Sequence, residues 1–317
     1  MNREVGTGER EGEIRVPGAR PSCVRMPGSC SLLSTPGFPL RLWRVEGLAG
    51  YPEPVGTIGG YEARTREAGV CLLREAQSRF RDAGVQRVLA PMDGSTWGDY
   101  RCVLPDPTSP SLPCFPGEPG CRAERAGDFP AAGFRECARY VSRIHHDLSR
   151  RAVAAESPLR RRLAGIRIRT FDPTRAEDDL RQIHAVSLDA FASAPYFRPI
   201  PWEQFRESLR SSPARDPAWT LLAEDAEDRL VGFGSAYPWN DYGPSLVVKT
   251  LAVAPDRAPH GLGALLADEL HSRAEAAGLK AVIHALMHAD NPSVRLSRRY
   301  ESDLFRSYAL FEWRADE

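Results

Sequence analysis

Two glycines one residue apart, Gly261 and Gly263, stand where an apolar run ending LAVAP (251–255) gives way to a helix-like pattern, GALLADELHSRAEAAG (263–278). The first N–H groups of a helix lack intrahelical partners and carry the positive end of its dipole, so a phosphate binds well there. Glycine matters because a Cβ would hold a diphosphate away from the backbone. The amides of His260, Gly261, Leu262, Gly263 and Ala264 are the expected donors; Pro259 supplies none. The competing reading is a glycine-softened strand-to-helix turn. As a dinucleotide fingerprint the segment fails, because Leu266 takes the third glycine position and the sequence shows no parallel βαβ unit around it.

Other side chains could move protons. In AVIHALMH (281–288), strand alternation places Ile283, Ala285 and Met287 on one face and His284 and His288 on the other. His288 ends the run, where a neutral imidazole could take a proton from an ammonium; the alternative is a surface histidine. Glu224 and Asp241 rank below it. In APMDGSTWGDYR (90–101), Trp97 and Tyr100 beside Asp93 and Arg101 read either as acceptor-pocket wall or as a turn with a core anchor. Tyr196, Phe197 and Trp202 of APYFRPIPW (194–202) are likewise pocket wall or lid packing. Seven cysteines with no CxxC pair, and six-residue gaps at Cys23/Cys30 and Cys114/Cys121, do not match zinc spacings. Reduced thiols and no metal are expected.

The elements that position these residues form two groups. The length, 317 residues, suits two domains. Lys and Arg total 42 against 42 for Asp and Glu, so no net field steers the protein onto nucleic acid or an anionic membrane. No signal-peptide core or spanning run is read, and a cytoplasmic location is expected. Residues 1–28 are Gly, Pro and charge without period, expected to be a disordered extension. Val70, Leu73, Gln77, Phe80 and Ala83 recur at helical spacing up to Gly84, followed by a strand, VQRVLA (85–90). Prolines over 105–130 specify a long loop, GFRECARYVSRIHHDL (133–148) a helix end and strand, and 151–165 an Arg-rich linker. The second half then reads β-α-(α)-β-β-β-α-β-α-β. Thr174 and Glu177 form a capping box for its first helix, which carries Leu180, Ile183 and Ser187.

The halves are also similar to each other. VCLLREAQSRFRDAG aligns with GALLADELHSRAEAAG, TIGGYEA with VKTLAVA, and VQRVLAPMDGSTW with LKAVIHALMHADN. Ala68 and Val70 fall opposite Gly261 and Gly263. The first copy builds the junction without either glycine, which makes a ligand's phosphates the better explanation for the pair.

LAVAPDRAPHGLGALL (251–266), with HADNPSVRLSRRY and RSYALF after it, resembles the GNAT superfamily of N-acetyltransferases over about Ile166–Arg314. The first half looks like a partial, degenerate copy. The resemblance implies an α/β fold of two GNAT-like domains, 29–150 and 166–317, with a mixed, mostly antiparallel sheet flanked by helices. It implies direct transfer of acetyl from acetyl-CoA to an amine of a small molecule or peptide. On this resemblance, exposed N–H groups near Leu251 and Val253 would hold the thioester carbonyl, Asn291 would contact pantetheine, and Tyr300 or its rival Tyr308 would protonate the departing thiolate. The family's loop commonly has Arg or Gln three residues before the first glycine; here that position is Ala258, with Arg257 one place early. A non-catalytic acyl-CoA sensor is the alternative. The acceptor and the oligomeric state are not specified.

Overall fold

A computed structural model describes residues 30–32, 39–106, 112–120, 123–154, 157–209 and 216–316. The extension expected over 1–28 lies outside them. The first half runs β1 (Cys30–Leu32), β2 (Arg41–Val45), β3 (Val55–Gly59), α1 (Arg66–Asp82), β4 (Arg87–Ala90), β5 (Cys102–Val103), α2 (Asp128–Ala131) and β6 (Arg135–His145). A short helix, α3 (Pro158–Arg162), leads into the second half. That half comprises β7 (Arg167–Thr170), α4 (Ala176–Phe191), α5 (Trp202–Leu209), β8 (Thr220–Glu224), β9 (Leu230–Trp239), β10 (Ser245–Val253), α6 (Leu262–Ala276), β11 (Ala281–His288), α7 (Pro292–Arg298) and β12 (Asp303–Arg314).

All strands join one 12-stranded mixed sheet, ordered β1-β2-β3-β4-β12-β6-β11-β10-β9-β8-β7, with β5 on β12. Two neighbouring pairs are parallel, β3/β4 and β10/β11. Each is bridged by one helix, so the glycine pair does sit in a parallel βαβ unit, contrary to the sequence reading. The pairing was missed because β10 also belongs to an antiparallel run with β9, which hides the crossover.

Leu262, Leu266, Leu270 and Ala274 recur every fourth residue and line the face of α6 that covers Leu246, Val248 and Val282. Leu73, Ala76 and Phe80 do the same for α1 over Ile58 and Val88. Both helices stop where expected, at Gly84 (φ +71°) and Gly278 (φ +75°). The first helix of the second half is capped differently from the expected Thr174/Glu177 box. Asp172 accepts from the Thr174 amide and caps a 3₁₀ turn at 173–175, and α4 follows with no side-chain cap of its own.

The halves exchange strands. β6 of the first half pairs with β11, and β12 of the second pairs with β4; β6 and β12 pair with each other at the centre. Each parallel unit is completed by a strand from the other half.

Candidate active site

β10 and β11 are paired only from Ser245↔Ala281 to Val248↔His284. Beyond that both strands continue without pairing to each other, to Val253 and His288, and a wedge opens between them. Two irregularities produce it. Lys249 is an extra residue between Val248 and Thr250 against β9, and β11 shifts register between His284 and Met287 against β6. Leu286, inside that shift, has φ +60°. The Ala254 amide donates to Val231 on β9 (2.8 Å). Amides alternate along a strand, so those of Leu251 and Val253 point the other way, into the wedge.

At its mouth, Gly261 is the N-cap of α6, with φ +95°. A Cβ there would also come within 2.6 Å of Leu159 on α3. The expectation that the turn needs neither glycine therefore fails at Gly261. The first copy avoids the requirement by starting α1 differently, with Thr65 in extended geometry accepting from Ala68. Gly263 differs: a Cβ would meet only Val253 Cγ1, at 4.0 Å, so nothing inside the chain requires glycine there. Of the five expected donor amides, Leu262 bonds to Pro259 O and Ala264 to Gly261 O. Among the described residues those of His260, Gly261 and Gly263 have no partner within the chain, and they fit a phosphate. Arg257, one place early for this loop, pairs with Asp189 on α4 (2.8 Å).

The tyrosines fall on opposite faces of the sheet. Tyr300 is 1% exposed on the α6 side, where its hydroxyl donates to Asp268 (2.6 Å) and its ring stacks on His271. Its hydroxyl proton is committed to Asp268 on the α6 side. Tyr308 lies on the other face and donates to Glu118, with Ser142 Oγ 2.9 Å away. Ser142 Oγ in turn accepts from the Leu286 amide beside the wedge. Burial, with the charge of Glu118 next, raises the Tyr308 hydroxyl well above its usual range, so it stays protonated. Asn291 caps α7, its Oδ1 accepting from Ser293, and leaves its NH₂ free at the surface.

The β11 bulge reverses the alternation expected of the histidines. His284 faces α6, whereas His288 packs edge-on against Tyr140 on the opposite face, with Nδ1 accepting from the Asp290 amide. Glu224 is locked between Arg167 and Arg169, and Asp241 is at the far end of β10 from the wedge. Trp97 donates to Arg198 O and packs on Phe197 and Phe205. Tyr196 donates to Cys137 O, and Trp202 packs on His184. Trp97 and Tyr196 join the two halves, whereas Trp202 packs within the second.

The sequence reading missed Lys249. This half-buried side chain follows Val248, which packs under α6, and so lies on the opposite face, where Nζ comes within 3.4 Å of Gly117 O. It forms no ion pair among the described residues. Burial, then the charge of Arg101, brings it down to about 7, against the pull of Asp99 and Glu118. Glu118 itself is saturated by Arg306, Tyr308 and the Phe115 amide. Arg101 (φ +68°) reaches across from the first half to donate to Leu286 O (2.9 Å), which joins two left-handed non-glycine residues at the wedge. The only available sequence signal was a charged residue inside an otherwise apolar strand, SLVVKTLAV.

The first copy's parallel pair is sealed instead. Met92 donates to Ile58 O (2.7 Å), Gly94 donates to Thr57 Oγ1, and Asp93 lies where a Cβ on Gly59 would be. Asp93 is held by Arg41 and Trp43.

Residues 179–300 match the acetyltransferase (GNAT) family model. Mycothiol acetyltransferases of Clavibacter michiganensis subsp. michiganensis and Clavibacter sepedonicus are 37% and 36% identical over 186 residues, 55% of this chain in each case and 55% and 56% of theirs. The chain thus matches just over half the length of these curated relatives. Among solved structures, a GCN5-related N-acetyltransferase from Sphaerobacter thermophilus aligns at TM-score 0.54 and 17% identity, over 89% of this chain and 82% of that one. A tandem GNAT protein from the clavulanic acid biosynthesis pathway aligns at TM-score 0.52 and 15% identity, over 87% and 78%. These two share the fold. The splayed parallel pair β10/β11 lies inside residues 179–300, the segment that the acetyltransferase (GNAT) family model matches.

Proposed function

We propose that the protein is an N-acetyltransferase that moves acetyl directly from acetyl-CoA to a primary amine of a small molecule or peptide. The observation that carries this reading is the open wedge between β10 and β11, with unpartnered amides at the α6 N-terminus and a glycine, Gly263, that no internal contact requires. The diphosphate of acetyl-CoA lies on the amides of His260, Gly261 and Gly263, and the Leu251 or Val253 amide donates to the thioester oxygen. That bond strengthens as the oxygen gains charge, and so favours the transition state over the ground state.

Lys249 is the proposed base. Uncharged, it takes a proton from the acceptor ammonium; the freed amine attacks the thioester carbon, the C–N bond forms, and the C–S bond breaks. The thiolate leaves with the Tyr308 proton, so Tyr308 and not Tyr300 is the proposed acid, and the second proton that the nitrogen sheds as the amide forms restores the Tyr308 hydroxyl. The Pro-rich loop with Glu118 and the segment with Asp99 and Arg101 place first-half residues around Lys249, and that half then forms part of the acceptor site.

A thiol-release assay with acetyl-CoA across a panel of amines, including the acceptor of the mycothiol acetyltransferases, tests the reading. Acceptor-dependent CoA release is expected for at least one class. Tight binding of acetyl-CoA with no such release would identify a sensor instead.

A further inference from the structure

Behind the wedge, on the α6 side, three histidines from three elements meet. His145 closes β6, His271 lies on α6, and His284 lies in β11; their exposures are 0%, 0% and 3%. One nitrogen from each ring lies within 4.8 Å of the other two, and Nε2 of His271 and of His284 are 3.1 Å apart. Ring centroids are separated by 5.2 Å (His145–His271), 5.2 Å (His271–His284) and 4.3 Å (His145–His284). Three imidazoles bound at about 2.0–2.1 Å to one tetrahedral zinc would have centroids about 5 Å apart. The rings already converge to nearly that spacing.

The hydrogen bonds leave acceptors over. A neutral imidazole has one N–H and one lone pair. His145 uses Nε2 with Ser297 Oγ (3.1 Å), and His271 uses Nε2 with His284. Nδ1 of His145 and Nδ1 of His271 are fully buried with no partner. Only one of the two Nε2 atoms in the His271–His284 contact can carry the proton, and Nδ1 of His145 and of His271 keep no partner whichever it is, so the cluster holds buried polar atoms that its own hydrogen bonds do not satisfy, a costly arrangement. Negative charge stands beside the cluster: Tyr300, stacked on His271, donates to Asp268, whose other bonds come from the Ala152 and Val153 amides.

We propose that His145, His271 and His284 bind a divalent transition metal of the imidazole-preferring kind, Zn²⁺ foremost, which ties the exchanged strand β6 to α6 and β11 of the other half. The three ligands are buried and come from both halves, and a water or hydroxide fills the fourth position of a tetrahedral ion. Its sequence spacing, 145, 271 and 284, matches no metal motif because strand exchange assembles it.

The test uses the full chain. Protein stripped with chelator is titrated with Zn²⁺ by calorimetry and with Co²⁺ by visible absorption, alongside elemental analysis of protein as purified. The proposal expects about one ion per chain, a tetrahedral Co²⁺ spectrum, and a melting temperature that rises with metal. His284→Gln and His145→Asn, checked for folding by circular dichroism, should weaken binding roughly tenfold or more, whereas His146→Ala, an exposed neighbour, should bind as wild type. Folded wild-type protein that binds neither ion and melts identically with and without chelator overturns the proposal, as does unchanged affinity in both cluster variants. Should the cluster variants fail to fold, the wild-type titration alone decides.

Discussion

Gly261 and Gly263 look alike in the sequence and behave differently in the fold. Gly261 is fixed by a left-handed backbone and by Leu159, so Gly261→Ala is expected to cost about 1–2 kcal/mol from the dihedral alone, measured by urea denaturation. Gly263 has helical geometry and room for a methyl group. Gly263→Ala should leave stability equal or raise it by about 0.5–1 kcal/mol, while weakening acetyl-CoA binding roughly tenfold or more, about 1.4 kcal/mol. A stability gain with an affinity loss is the mark of a residue kept for a ligand. Lys249 makes a second prediction at this scale. The amine works as a base only when uncharged, so turnover should rise as pH increases through about 7. In a pH–rate profile of Lys249→Arg, which stays charged, that limb and most of the activity should be lost. Sequence spacing could point to the glycines and to His288, but a β-bulge reverses which face a side chain meets. For that reason alternation puts His288 with His284, while Lys249, a lone charge in an apolar strand, carries no spacing signal at all.

At the scale of elements, helices and strands were readable because α1, α6 and the strands of the second half carry clear apolar periods and glycine stops. Pairing was not readable. Whether two runs lie parallel or antiparallel is settled by which neighbours they find, and the parallel β10/β11 pair was missed for that reason. Charged networks were equally hidden: Glu224 was a candidate base, yet it and Asp179 share Arg169 across β7, β8 and α4. Asp179→Asn breaks a buried pair and should destabilise the chain by about 3 kcal/mol, with turnover per folded molecule unchanged. Burial works against the Asp179 charge, but its bonds to Arg169 prevail and hold its carboxyl below the usual range. The folded state therefore binds that proton less readily than the unfolded one. The contribution is present above the unfolded value, about 3.9, and is lost as acid protonates the folded form.

Each half of the chain contributes one parallel strand-helix-strand pair to a single sheet, and β6 and β12 cross between the halves; internal similarity in the sequence gives no sign of that crossing. A piece comprising 166–317 lacks β6, leaving the β11 edge and two of the three histidines uncovered; a piece comprising 30–154 lacks β12. Each alone should show no cooperative melting by circular dichroism, and co-expression should restore it. Among the described residues no helix is long and apolar enough to cross a membrane. The two wedges give the sharpest contrast within the chain, one sealed by the 92–94 segment and one open at Gly263. Isothermal calorimetry of the full chain with acetyl-CoA, set beside Gly263→Val of equal stability, measures that difference directly. One binding event per chain that disappears in the variant is the expected result; no binding to the wild type, or equal binding to both, would contradict the assignment of the open wedge as the acetyl-CoA site.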